Sequence, residues 1–143
     1  MDKFWFIVRV VIIAVGAGGE FVRPLAAPEQ LQSEWVMALV GFLFFPVAVV
    51  VGLAVLFLLR GPRLSFNQPS WFKNPFDFSH PEQFLHLAGY AFLAQGSAMI
   101  IHAGMLGVPA GAFHITVVGL GAGILLGLYI MGVAYRVQIN KSC

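Results

Sequence analysis

Apolar residues along the chain form four long runs that are separated by short polar segments. The runs cover about residues 4–21, 35–59, 84–105 and 113–135, and each is long enough to cross a bilayer as a helix. Backbone amides and carbonyls in lipid must be hydrogen-bonded within the segment, and the runs lack the alternation of barrel strands. The pattern therefore predicts an all-α polytopic membrane protein: one domain over residues 1–143 that forms a bundle of four transmembrane helices.

Residues that begin helices lie at the starts of two runs. Pro28 with Glu29, and Pro81 with Glu82, place a proline and an acidic side chain in the expected first helical turn. A proline costs no hydrogen bond there, and the helix dipole favours negative charge. Ser79 and Glu82 also have the spacing of a capping box, in which the two side chains bind each other's backbone amides.

The composition supports a membrane protein over a soluble one. Hydrophobic residues make up 59% of the 143 residues and charged residues only 10%, too few to cover the surface of a soluble domain. The eight Lys and Arg residues are scattered at segment ends, which argues against a nucleic-acid partner. Cys143 is the only cysteine, so an intramolecular disulfide is excluded.

The distribution of cations predicts the orientation of the four spans. Arg23 falls on one side of the membrane, and seven other cations fall on the opposite side: Lys3, Arg9, Arg60, Arg63, Lys73, Arg136 and Lys141. Cytoplasmic segments carry the excess of Lys and Arg, so both termini and the 60–80 loop are expected on the cytoplasmic face of an inner membrane. Arg9 is expected to extend its guanidinium to the headgroups, and Glu20 to lie in the outer connection.

The 60–80 loop is polar but rich in aromatic residues and turn signals. Aromatic rings beside Arg and Lys suit the headgroup layer, where acyl chains and anionic phosphates meet. Arg60, Arg63, Trp71 and Lys73 are therefore predicted to anchor this loop on the membrane surface. The alternative is a docking surface for a cytoplasmic partner.

The last two runs carry the signals for helix packing. They are joined by a Gly/Pro turn at residues 107–111, so they are predicted to form an antiparallel hairpin. Gly119, Gly123 and Gly127 are spaced by four, which lets a second helix approach closely, within the chain or in a dimer. Gln95 falls near mid-membrane, where its amide is expected to hydrogen-bond to a neighbouring helix.

Histidine and methionine near the outer end of the hairpin are the candidate ligands for a cofactor. His102 and His114 flank the turn and are the pair that could hold a b-type haem. Met99, His102 and Met105 form a Met-x-x-His-x-x-Met string, and thioethers with imidazole suit Cu(I), with His114 as a fourth ligand. Methionine in membrane helices is more often packing filler, and three-residue spacing spreads these side chains around the helix.

The sequence contains no recognisable catalytic motif, so the first functional prediction is a non-enzymatic accessory or scaffold subunit of a membrane assembly. Its partners would be lipid and other membrane proteins or further copies of the chain, with no cofactor. The alternative is a redox subunit that binds haem, quinone or copper near the outer end of the last two helices. A small transporter is less favoured, because Arg9 is the only charged residue expected inside a span.

Overall fold

The computed structural model describes residues 2–22, 34–60, 65–108 and 111–142, in which four α-helices and no strands occur. In chain order the helices are α1 (Asp2–Glu20), α2 (Glu34–Arg60), α3 (Pro81–Met105) and α4 (Ala112–Ser142). The all-α prediction is confirmed. Three helices agree with the predicted runs to within a few residues, whereas α4 continues well past the expected end at position 135.

Two of the four helices are long and apolar enough to cross a membrane, counted over the described residues. They are α3 and the Phe113–Ser142 part of α4, and a shorter apolar stretch of α2 runs from Leu39 to Val55. Membrane association is thus supported for the helical hairpin formed by α3 and α4.

The helices pack in the spatial order α2, α4, α3, α1. Within the described part of the chain, α2 contacts only α4, and α1 contacts only α3, so the sequence-adjacent helices α1 and α2 lie at opposite ends of a row. The predicted hairpin of α3 and α4 forms the centre of this row. Each outer helix consequently has one packed side and leaves many large apolar side chains exposed on the others.

Glycines on two faces of α4 permit the close approach of its two neighbours. A Cβ at Gly127 would lie 3.0 Å from the Phe45 ring of α2, and one at Gly123 would strike the Phe42 carbonyl oxygen. On the other face, a Cβ at Gly121 would lie 2.7 Å from the Leu93 amide nitrogen of α3. Backbones therefore approach each other directly on both sides of α4, as small residues allow in membrane helices.

The ends of α3 follow the sequence signals only in part. At the C-terminus Gly107 adopts φ +68°, and the Val108 amide donates to the Ala103 carbonyl at 2.9 Å in a Schellman motif. At the N-terminus Pro81 occupies the first turn, but the N-cap residue is His80 and it makes no side-chain cap. The predicted capping box is wrong, because the Glu82 carboxylate accepts instead from the Asn67 amide at 2.7 Å.

The segment 65–80, the described part of the long loop, folds back over α1, α3 and α4. Phe66 is buried against Ile124 and Leu128 of α4, and Trp71 packs edge-on to Phe6 of α1. Aromatic rings of the loop thus pack partly on the protein itself, where the sequence predicted contact with the membrane or, alternatively, with a partner. This arrangement places the loop backbone directly over the polar residues at the beginning of α3.

Candidate functional site

A buried arginine lies at the centre of the polar residues beneath the loop. Arg9 of α1 has no exposed surface, and its Nε and Nη2 donate to the Lys73 carbonyl at 3.1 and 3.0 Å. Its Nη1 lies 3.1 Å from Nδ1 of His86, and Nη2 reaches Oε1 of Gln83 at 3.5 Å. All three nitrogens of the guanidinium are therefore bound to protein groups. The prediction that Arg9 reaches the lipid headgroups is wrong, because the loop and α3 enclose it.

Two side chains at the start of α3 hold the loop in place. Gln83 is 1% exposed, accepts from the Ser70 amide at 3.2 Å, and donates to the Asn67 and Gln68 carbonyls at 3.1 and 3.2 Å. Glu82 is also buried and binds the Asn67 amide. Buried polar groups of this kind are costly unless each finds a partner, so the loop and the helix start stabilise each other.

The four predicted membrane anchors differ in their exposure and in their contacts. Lys73 is exposed, but its Nζ donates to the Asn67 side chain and to the Gln68 carbonyl within the loop. Trp71 is half-buried, with its ring in contact with His86 and Tyr90. Arg63 and the side chain of Arg60 lie outside the described residues. A role in anchoring the loop on a membrane stays a prediction for all four.

A pocket of about 200 Å³ opens between α3, α4 and the loop, and we call it the loop-side pocket. Its polar lining comes from Gln68, His86, Tyr90 and Tyr129. Its apolar lining comes from Pro69, Leu125 and Leu128. In the part of the chain that the structure describes, no charged side chain lines it, and Tyr129 is 64% exposed at its edge. The pocket is thus a neutral, hydrogen-bonding cavity beside the buried Arg9.

The contact with Arg9 determines which nitrogen of His86 carries the proton. A guanidinium has donors only, so Nδ1 of His86 must be the acceptor of the 3.1 Å hydrogen bond. The ring is then neutral and carries its hydrogen on Nε2. This Nε2–H, like the Tyr90 and Tyr129 hydroxyls, makes no hydrogen bond to any residue that the structure describes. Three unused donors therefore surround the loop-side pocket.

At the opposite end of the hairpin lie the residues predicted to bind haem or copper. Met99 is buried, whereas Met105 is 73% exposed, so the two thioethers face different surroundings. Nδ1 of His114 accepts from the Gly111 amide at 3.2 Å. Nδ1 of His102 is buried without a partner among the described residues, in which no group of three or more His, Cys, Asp or Glu could hold a metal. Haem or copper binding here stays a prediction.

A second buried polar contact joins α1 to the middle of α3. Nε2 of Gln95 donates to Oε1 of Glu20 at 2.8 Å, and Glu20 is only 7% exposed. Gln95 thus hydrogen-bonds to a neighbouring helix, but to a carboxylate that the sequence placed in the outer connection. Glu20 is therefore a buried carboxylate at the level of mid-α3, where the sequence predicted no acidic side chain.

Sequence reasoning missed the loop-side pocket, although one signal for it was present. His86 and Tyr90 are four residues apart and therefore lie on one face of α3. Gln95 and His102, the residues of α3 for which the sequence predicted a role, lie on the opposite face. The structure buries parts of both faces, because α3 lies between α1 and α4.

These features describe a small all-helical protein with a helical hairpin at its centre, a loop clamped over its polar end, and a neutral pocket beside a buried arginine. No family model, curated protein or solved structure matches the chain. The function is therefore argued from the geometry alone.

Proposed function

We propose that this chain is a small integral membrane protein of the inner membrane that acts as an accessory or scaffold subunit of a larger membrane assembly. It crosses the bilayer four times, with both termini and the 65–80 segment on the cytoplasmic side. The observation that carries the proposal is the row of helices. Each of the two outer helices packs against a single neighbouring helix. The rest of its surface is apolar and exposed, so lipid or another membrane protein must cover it.

The outer surface of α2 is the part most suited to a protein partner. It includes Leu43, Phe44, Val47 and Val51, which are 42 to 64% exposed. In lipid, helices associate through packing and polar contacts, and a row of helices offers more lateral surface than a closed bundle. A scaffold subunit that lies between other helices would use such a surface.

Cysteine labelling tests the direction in which the α3–α4 hairpin crosses the membrane. In a Cys143→Ser background, Phe78→Cys places a thiol in the loop at a position that is 97% exposed, and Leu106→Cys places one in the α3–α4 turn at 58% exposure. A membrane-impermeant maleimide is expected to label Leu106→Cys in intact cells and Phe78→Cys only after permeabilisation. Labelling of both positions in intact cells, or of neither, would contradict the proposed topology.

Site-specific photocrosslinking tests the scaffold role. Benzoylphenylalanine at Phe44, which is 64% exposed on α2, is expected to form a discrete crosslinked product with another membrane protein or a second copy. The matched control is the same substitution at Phe66, which is buried inside the chain and should crosslink only internally. If Phe44 yields lipid adducts alone, α2 faces lipid and the accessory role loses its support.

A further inference from the structure

We propose that the loop-side pocket binds the headgroup of a membrane quinone. The inference rests on the proposed membrane placement, because such a ligand reaches the protein only through lipid. It goes beyond the accessory role, which requires no ligand. The donors that line the pocket, its lack of charge, its size and its apolar lining each favour this class of ligand.

The donors come from different walls of the pocket. His86 and Tyr90 lie on α3, Tyr129 lies on α4, and Gln68 lies on the loop. The lining thus offers a side-chain amide, the His86 Nε2–H and two tyrosine hydroxyls as donors. These donors suit a ligand that has no donors of its own and carries acceptors at more than one edge. A quinone ring carries two carbonyl oxygens at opposite edges and no donor of its own. One carbonyl can accept from the α3 residues and the other from Tyr129.

The neighbouring arginine strengthens the donor on His86. Arg9 donates to Nδ1 of the ring, so its positive charge polarises the imidazole and makes the Nε2–H a better donor. Arg9 is itself enclosed and is not among the lining residues, so a ligand in the pocket would contact the ring and not the guanidinium. A neutral carbonyl can use this donor without bringing a charge into the pocket.

The absence of charge argues against a phosphate ligand. Among the described residues that line the loop-side pocket there is no Lys or Arg, and phosphates in proteins are bound by cations or by clustered backbone amides. A phospholipid headgroup would have to leave its charge unpaired there. A quinone is neutral and is not subject to this cost.

Size and exposure also fit a single ring with a tail. The volume of about 200 Å³ is below the range of about 300–1,000 Å³ that holds drug-sized ligands, which indicates one ring system. Leu125, Leu128 and Pro69 supply apolar contacts for the faces of the ring. Exposed Tyr129 marks the open side, through which an isoprenoid tail would extend into lipid.

Titration of the purified full-length chain in nanodiscs with decylubiquinone tests the assignment. Trp71 contacts His86 and Tyr90 with centroid distances of 5.3 and 4.7 Å, so a bound quinone should quench its fluorescence. We expect saturable quenching that disappears in Trp71→Phe. Linear quenching without saturation in the native chain would overturn the proposal.

A pair of tyrosine variants tests the pocket itself. Tyr129→Phe removes one donor at an exposed position and is expected to weaken binding about fivefold, the usual effect of one lost hydrogen bond. Tyr135→Phe is the matched control on the same helix, where the ring contacts Phe66 outside the pocket, and it should bind like the native chain. Equal affinities in the two variants would overturn the assignment.

Three further outcomes separate this inference from the proposed function. Competition by phosphatidylglycerol in the nanodisc would assign the pocket to a lipid headgroup and overturn quinone binding. Failure to bind in a chain with the expected cysteine labelling would overturn the pocket assignment alone. Failure of the labelling pattern itself would instead remove the membrane placement on which both proposals depend.

Discussion

Replacement of Arg9 by alanine is expected to lower the free energy of unfolding by about 3 kcal/mol, since hydrogen bonds of charged groups each contribute about 1.5–3 kcal/mol. The change removes the donors to the Lys73 carbonyl, to His86 and to Gln83 at once. The Lys73 carbonyl and Nδ1 of His86 would lose these donors, whereas Oε1 of Gln83 would keep the Ser70 amide. The loop would lose its hydrogen bonds to α1 and keep only the ring contacts with Phe6. Thermal unfolding in mild detergent, followed by circular dichroism, measures the loss.

Arg136→Ala is the matched control for this prediction. Arg136 is exposed near the end of α4, where its Nε donates only to the Gly132 carbonyl at 3.3 Å, so its loss should cost less than about 0.5 kcal/mol. Arg9→Lys should be intermediate, because an ammonium keeps the charge but cannot reproduce the forked contact on the Lys73 carbonyl. Similar melting temperatures for Arg9→Ala and Arg136→Ala would show that Arg9 does not hold the loop.

The four helices were predictable because their signal is local. Each helix is predicted by residues in or next to it. The signals are long apolar runs, a proline at the start of α3 and a glycine after its end. The end of α4 was missed because its last turns carry Arg136 and Lys141, which the apolar run excludes. The row of helices could not be derived, because no local pattern states which helix lies beside which.

The polar site was not predictable because its contacts are long-range. Arg9 is 64 residues from Lys73 and 74 from Gln83, so its partners become visible only when the loop folds back. An arginine near the end of an apolar run fits a lipid anchor equally well by sequence. Glu82 illustrates the same limit. Its position suits a capping box with Ser79, but its carboxylate accepts from the Asn67 amide of the folded loop instead of the Ser79 amide.

Gly123→Ala is expected to destabilise the chain by about 2 kcal/mol, the usual cost of an added methyl group in a packed interface. Its Cβ would strike the Phe42 carbonyl oxygen and lie 3.1 Å from the carbonyl carbon. Both atoms belong to the backbone of α2, so no side chain can rotate away and the whole helix must shift. The glycine spacing predicted a packing face from sequence, and the structure identifies α2 as the helix that approaches it.

Gly52→Ala on α2 is the control, and its expected change in stability has the opposite sign. No atom lies within 4 Å of a Cβ at Gly52, so alanine should stabilise the helix by about 0.5 kcal/mol through its higher helix propensity. Melting temperatures in the same detergent should therefore fall for Gly123→Ala and rise slightly for Gly52→Ala. If both rise, α2 does not pack on α4 at Gly123, and the row of helices that supports the scaffold proposal is incorrect at that contact.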